Sequence, residues 1–142
     1  MISVGLAGTG VVGDRFARRL RTVLPDATIV VLDGRSTTPA ELDIAVLARG
    51  GSHAVDAARY VDEGVAVVSI SDDLADVRAM TDLDDQARGA GVPLVVGAGM
   101  EPGLTGLLAR HLAAQLSVCD EIHVAVHGTA GPACARQQHH AL

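Results

Sequence analysis

Three glycines at fixed spacing, Gly8-Thr9-Gly10-Val11-Val12-Gly13, lie between a continuous apolar run at residues 2–7 and a stretch whose apolar residues return at Val12, Phe16, Leu20 and Val23. The run reads as a buried strand and the recurrence as one face of a helix over 11–24, closed by Pro25-Asp26. The glycines are the tight turn between them. Strand, glycine turn and helix in direct succession open a βαβ unit, which restricts the chain to an α/β architecture.

The rest of the sequence repeats that alternation. Strands are expected at 28–32, 43–48, 65–70 and 92–96, with weaker strand character at 121–126. Helices are expected from Ser52 to Glu63, ended by Gly64, and from Asp72 or Asp73 to Ala90, ended by Gly91. A further helix carries Pro102 in its first turn and ends near Leu116. The fold class is therefore α/β, a Rossmann-type doubly wound, mostly parallel sheet of about six strands with helices on both faces. With 49% hydrophobic residues but a single Phe and a single Tyr, the core must be aliphatic.

Composition also narrows the function. All 11 basic residues are Arg, so neither a Schiff-base lysine nor a P-loop lysine can come from this chain. The net charge of −6 argues against nucleic acid and anionic membranes as partners. No apolar run approaches the ~18 residues of a membrane span. The N-terminus has no basic n-region, and Cys119 and Cys134 lack metal or CxxC spacing; both features fit a cytoplasmic protein with free thiols. The carboxylates at Asp72, Asp73, Asp76, Asp82, Asp84 and Asp85 read as a solvated helix face, and His139-His140 has no partner ligand nearby, so no metal site is expected.

The chemistry sits in the turns. Gly8, Thr9, Gly10, Val11, Val12 and Gly13 form a G-x-G-x-x-G whose glycines serve the tight turn, the approach to a pyrophosphate and helix–strand packing. Asp33 follows Gly13 by about 20 residues, at the end of the second strand, completing a dinucleotide fingerprint. Asp33 would bind the ribose hydroxyls and favour NAD, whereas Arg35, beyond Gly34, would pair with the extra phosphate of NADP or stay in solvent. NAD is favoured. Ala48, Arg49 and Gly50 follow the third strand, where the cofactor's central portion is expected, and His53 reads as a solvated residue of the next helix's first turn. Ser69, at the end of the fourth strand, and Gly97 and Gly99, after the fifth, lie at the edge where open α/β sheets bind ligands.

Those residues, with the runs Gly64-Val65-Ala66-Val67-Val68-Ser69-Ile70-Ser71-Asp72 and Gly97-Ala98-Gly99-Met100-Glu101-Pro102-Gly103-Leu104-Thr105, resemble the N-terminal half of the saccharopine dehydrogenase-like family of NAD(P)-dependent oxidoreductases. The resemblance implies a cofactor-binding domain over 1–127, with residues 128–142 leading into a separate substrate domain. It implies oxidoreduction of carbon–nitrogen bonds in amino acids or related amines. Gly8, Gly10, Val11, Val12, Asp33 and Arg35 would hold the dinucleotide, and the loop at 48–50 and the turn at 97–101 would face the nicotinamide. Catalytic residues would come largely from the substrate domain, so this chain is expected to be an incomplete catalyst alone, joined by that domain, a separate subunit or a second copy.

Two other classes fit parts of the pattern. Regulatory domains of potassium-transport systems use a similar glycine turn and strand-end acid to sense nucleotide without catalysis. A structural subunit that binds nothing is the other. The Met100-Glu101-Pro102-Gly103 turn and the 128–133 stretch favour the dehydrogenase reading.

Overall fold

The computed structural model describes residues 1–32 and 42–127. Strand β1 (Ser3–Ala7) is buried from Val4 to Ala7, as a central strand covered on both faces must be. Gly5 is small for a packing reason: a Cβ there would come within 2.8 Å of the Leu32 and Leu42 side chains, which already fill that space. Helix α1 (Val11–Val23) follows, then β2 (Thr28–Leu32), β3 (Ile44–Leu47), α2 (Ala54–Asp62) and β4 (Ala66–Ser69). The chain continues through α3 (Leu74–Thr81), α4 (Asp84–Ala90), β5 (Leu94–Val95) and α5 (Leu104–Ala113).

The five strands are parallel and ordered β2-β1-β3-β4-β5. The first crossover runs to one side of β1 and the chain then returns to β3 on the other. The carboxyl ends of β1 and β3 therefore flank a topological switch point, where such sheets bind ligands. Helices cover both faces. Ala17, Phe16 and Leu20 of α1 pack on Val4, Leu6, Val46 and Ala48. On the opposite face Ala57, Tyr60 and Val61 of α2, Met80 of α3 and Ala87 of α4 pack on Ala45, Leu47 and Val67. Tyr60 is buried there with the Arg59 guanidinium 4.7 Å from its ring centre, and burial raises its phenol pKa.

Helix ends follow local chemistry. Gly64 takes a φ of 75° after α2, with its N–H on the Val61 carbonyl (3.0 Å) and that of Val65 on the Tyr60 carbonyl (2.9 Å). This is a Schellman close that only a glycine makes without strain. Gly91 does the same after α4.

Three expectations are corrected. The helix foreseen from Asp72 or Asp73 to Ala90 is two helices, and the restart near Leu83 turns Leu83 and Ala87 onto the core that Met80 enters. The last helix starts at Leu104, and Pro102 stays in the preceding turn, because Gly103, with a φ of 135°, lies outside helical backbone geometry. The sheet has five strands rather than about six: among the described residues, 121–126 pairs with no strand, and a lone segment has no partner to share its hydrogen bonds. Helix α5 buries none of its residues, leaving Leu104, Leu107, Leu108 and Leu112 exposed. No helix among the described residues is long and apolar enough to cross a membrane.

Candidate dinucleotide-binding site

The glycine turn divides into positions the fold needs and one it does not. Gly8 has a φ of 112°, and a Cβ there would collide with the Ala48 carbonyl and lie 2.8 Å from the Arg49 nitrogen. A Cβ on Gly13 would run into the Gly8 carbonyl oxygen. Both are fixed by close backbone approach: Gly8 against the β3 loop, Gly13 against the turn itself. Gly10 is different. Its φ of −72° suits any residue, and nothing lies within 4 Å of where its Cβ would sit.

Gly10 is also the N-cap of α1, and no side chain caps that first turn. The opening N–H groups of α1 thus have no side-chain acceptor, and with the positive end of the helix dipole beside open space they suit an anion. Val11 and Val12 are exposed beside it, and Asp14 pairs with Arg18 one turn further on.

β1 and β3 are in register, Ala7 beside Leu47, and the Ala48 N–H donates to the Ala7 carbonyl (2.7 Å). That brings Gly8–Gly13 and Ala48–Ser52 together at the switch point. Further along the edge, the Ala98 N–H donates to the Ser69 carbonyl (2.8 Å), placing the turn after β5 beside the end of β4. The glycines of that turn answer to its own packing: a Cβ at Gly97 or Gly99 would lie 3.3 Å from Pro102. On the far side β2 ends at Leu32, level with Ala7. Asp33, Gly34 and Arg35 lie outside the described residues, as do Cys134, His139 and His140.

His53 is not solvated, contrary to expectation. It is 1% exposed, with Nδ1 2.7 Å from the Ser69 hydroxyl and Nε2 3.0 Å from the Arg49 carbonyl. A carbonyl only accepts, so Nε2 carries the proton and Nδ1 accepts from Ser69. Both ring nitrogens are spent on the protein.

Asp76 departs from the expected solvated acidic face. It is buried, and its carboxylate accepts the Ser52 hydroxyl (2.6 Å) and the N–H groups of His53 and Ala54 (2.9 Å each). Burial alone would raise its pKa, but hydrogen bonds from Ser52, Ser71 and these two N–H groups outweigh that and hold it at about 2. The N-terminus of α2 is thus closed by a carboxylate from α3, whereas Ser52, the expected cap, is a donor to it. One sequence signal was present: Asp73-x-x-Asp76 has capping-box spacing, and the Asp73 carboxylate does accept the Asp76 N–H (2.8 Å). Among the described residues no cluster of His, Cys, Asp or Glu is arranged to hold a metal.

No family model and no curated protein sequence matches the chain. Solved structures do. GenD2 from gentamicin A biosynthesis, in complex with NAD, is 23% identical with a TM-score of 0.57, over 80% of this chain and 39% of its own. Homoserine dehydrogenase from S. aureus is 21% identical (TM-score 0.52; 68% of this chain, 32% of its own). Its counterpart from Thiobacillus denitrificans is 24% identical (TM-score 0.53; 68% and 29%). The chain thus spans about a third of the length of these enzymes. The order of its strands, the glycine turn at the switch point and this likeness together give the chain a Rossmann-type α/β fold.

Proposed function

We propose that the chain is the NAD(P)-binding module of a saccharopine dehydrogenase-like oxidoreductase acting on carbon–nitrogen bonds of amino acids or related amines. The observation that carries the dinucleotide part is Gly10: a glycine with ordinary backbone angles, no packing demand and an uncapped helix N-terminus beside it. Ligand approach accounts for such a glycine, and internal packing does not. Gly8, Thr9, Gly10, Val11, Val12 and Gly13 hold the pyrophosphate. Asp33 with Gly34 and Arg35 takes the adenosine ribose, favouring NAD over NADP. Ala48, Arg49, Gly50, Gly97 and Gly99 line the way to the nicotinamide, and Ser69, expected among them, is buried beneath with its hydroxyl on His53.

A bound nicotinamide supplies hydride chemistry, and this chain's residues bind and orient it. The acid–base groups and most substrate contacts belong to a second domain, which we place against the leucines of α5, with residues 128–142 leading towards it; a second copy of the chain on that face would appear as a dimer in sedimentation. The setting is cytoplasmic, in keeping with cysteines that lack CxxC or metal-ligand spacing. The exposed carboxylates leave nucleic acid and membranes outside this reading.

The test is calorimetric titration of the purified chain with NADH, alongside Gly10→Val. The wild-type chain binds saturably, while the variant keeps its fold and loses on the order of a hundredfold in affinity, because its side chain occupies phosphate space. Equal affinity in a folded variant rules out the phosphate-loop assignment. Absence of binding by the folded wild-type chain favours the structural-subunit alternative.

A further inference from the structure

The loop between β3 and α2 is exposed, yet it is tied down from beneath. The Arg49 carbonyl accepts the His53 Nε2–H (3.0 Å), and the Arg49 guanidinium bonds the carbonyls of Gly50 (3.1 Å) and Ser52 (2.8 Å). That guanidinium is itself held by the Asp56 carboxylate (2.7 Å). From below, the hydrogen bonds run in one direction: the Ser71 N–H donates to the Ser69 hydroxyl (3.2 Å), Ser69 donates to His53 Nδ1, and His53 passes a proton donor up to Arg49. At the other end of the loop the Asp76 carboxylate holds Ser52, His53 and Ala54. The carbonyls at 49, 50 and 52 are therefore engaged by the protein. The N–H groups of Gly50 and Gly51 find no acceptor among the described residues.

We infer that His53, locked into one tautomer by Ser69, and Asp76 are positioning residues that fix the 49–52 loop in its ligand-ready shape before the dinucleotide arrives. The inference rests on the dinucleotide reading above and extends it to residues that touch no ligand. Its physical content is preorganisation: a loop already held loses less freedom on binding, and a buried relay leaves the shape few alternatives. Ser69 is the informative member, since its hydroxyl sets which ring nitrogen carries the proton. Without it His53 is free to place the proton on Nδ1, which turns a bare Nε2 lone pair against the Arg49 carbonyl.

The experiment compares Ser69→Ala with Val67→Ala, a change in the same strand that opens a cavity in the core but removes none of the hydrogen bonds holding His53 or the loop. Unfolding, NADH affinity, the ¹⁵N shifts of the His53 ring and the heteronuclear NOEs of Gly50 and Gly51 are measured on each. Val67→Ala loses stability and keeps wild-type affinity, tautomer and loop order. Ser69→Ala weakens NADH binding about tenfold, mixes the His53 tautomers and lowers the NOEs of both glycines. A folded Ser69→Ala chain with unchanged tautomer and loop order overturns the inference, as does an affinity loss that Val67→Ala shares. If Ser69→Ala does not fold, Asp76→Asn is measured the same way, and unchanged loop order there overturns it. Absence of NADH binding by the wild-type chain defeats the dinucleotide reading instead, and the tautomer and NOE readings still decide whether the relay holds the loop.

Discussion

Asp76, in the first turn of α3, accepts the backbone N–H of His53 at 2.9 Å through each of its carboxylate oxygens and so closes the start of α2. One side chain thereby ties the start of α2 to the first turn of α3, two helices that β4 separates along the chain. Two donors that would be orphaned at a helix N-terminus, those of His53 and Ala54, are satisfied from outside the helix.

Replacing that carboxylate is accordingly expensive. Asp76→Ala is expected to lower the unfolding free energy by roughly 2–3 kcal/mol, because it leaves buried donors unpaired and removes a helix cap. The exposed neighbour Asp72→Ala should stay within about 0.5 kcal/mol of wild type. Urea unfolding of the two variants reads the difference.

The same group gives the chain an acid sensitivity of defined sign. Its folded pKa of about 2 lies below the ordinary 3.8, so the native state prefers the charged form. The stability this contributes is fully present above about pH 5, falls as pH drops through 3.8, and is lost once pH passes the folded value, an effect of roughly 2 kcal/mol. Unfolding curves collected across that window should show the gap between wild type and Asp76→Asn narrowing on acidification. A constant gap would show that the carboxylate's charge contributes nothing.

The three glycines of the turn should separate by stability. Gly13→Ala drives a methyl into the Gly8 carbonyl and is expected to cost roughly 2–3 kcal/mol. Gly8→Ala adds a strained φ to a clash with Ala48 and costs at least as much. Gly10→Ala meets open space and stays within about 1 kcal/mol. Thermal unfolding of the three variants checks the ranking.

Cofactor preference has its own prediction. NADH should bind more tightly than NADPH by about tenfold, and Asp33→Ser should narrow that ratio by removing the repulsion of the second phosphate. Parallel titrations measure it. A wild-type chain that prefers NADPH would hand the decision to Arg35.

Much of this was legible in the residues. Each of the five strands expected through residue 96 is present as an apolar run, and in the central three, β1, β3 and β4, burial on both faces leaves little choice of composition. Gly64 and Gly91 end helices where they were expected to, since a positive φ is a local demand with a local signature. The expectations that failed depended on partners distant in sequence. Ser52 looks like a cap and Asp76 like a surface acid until the fold brings α3 beside the start of α2. His53 looks solvated until β4 places Ser69 under its ring. Segment 121–126 has the residues of a strand but, among the described residues, no neighbour to pair with. Within the glycine turn, the spacing alone could not say which glycine serves the fold and which serves a ligand; that distinction needed the Ala48 and Gly8 carbonyls in place.

Tyr60 has a practical consequence. The chain has no tryptophan and this single tyrosine, so its ultraviolet emission comes from one side chain in the core. Tyr60 stands six residues into α2, roughly 9 Å along the axis from the end that Asp76 closes. Rearrangement of the 49–52 loop leaves its surroundings intact, while unfolding exposes it. The molecule therefore carries an optical gauge of its own folding that is nearly blind to events at the carboxyl edge of the sheet. Unfolding can then be followed by that emission without interference from motions of the 49–52 loop.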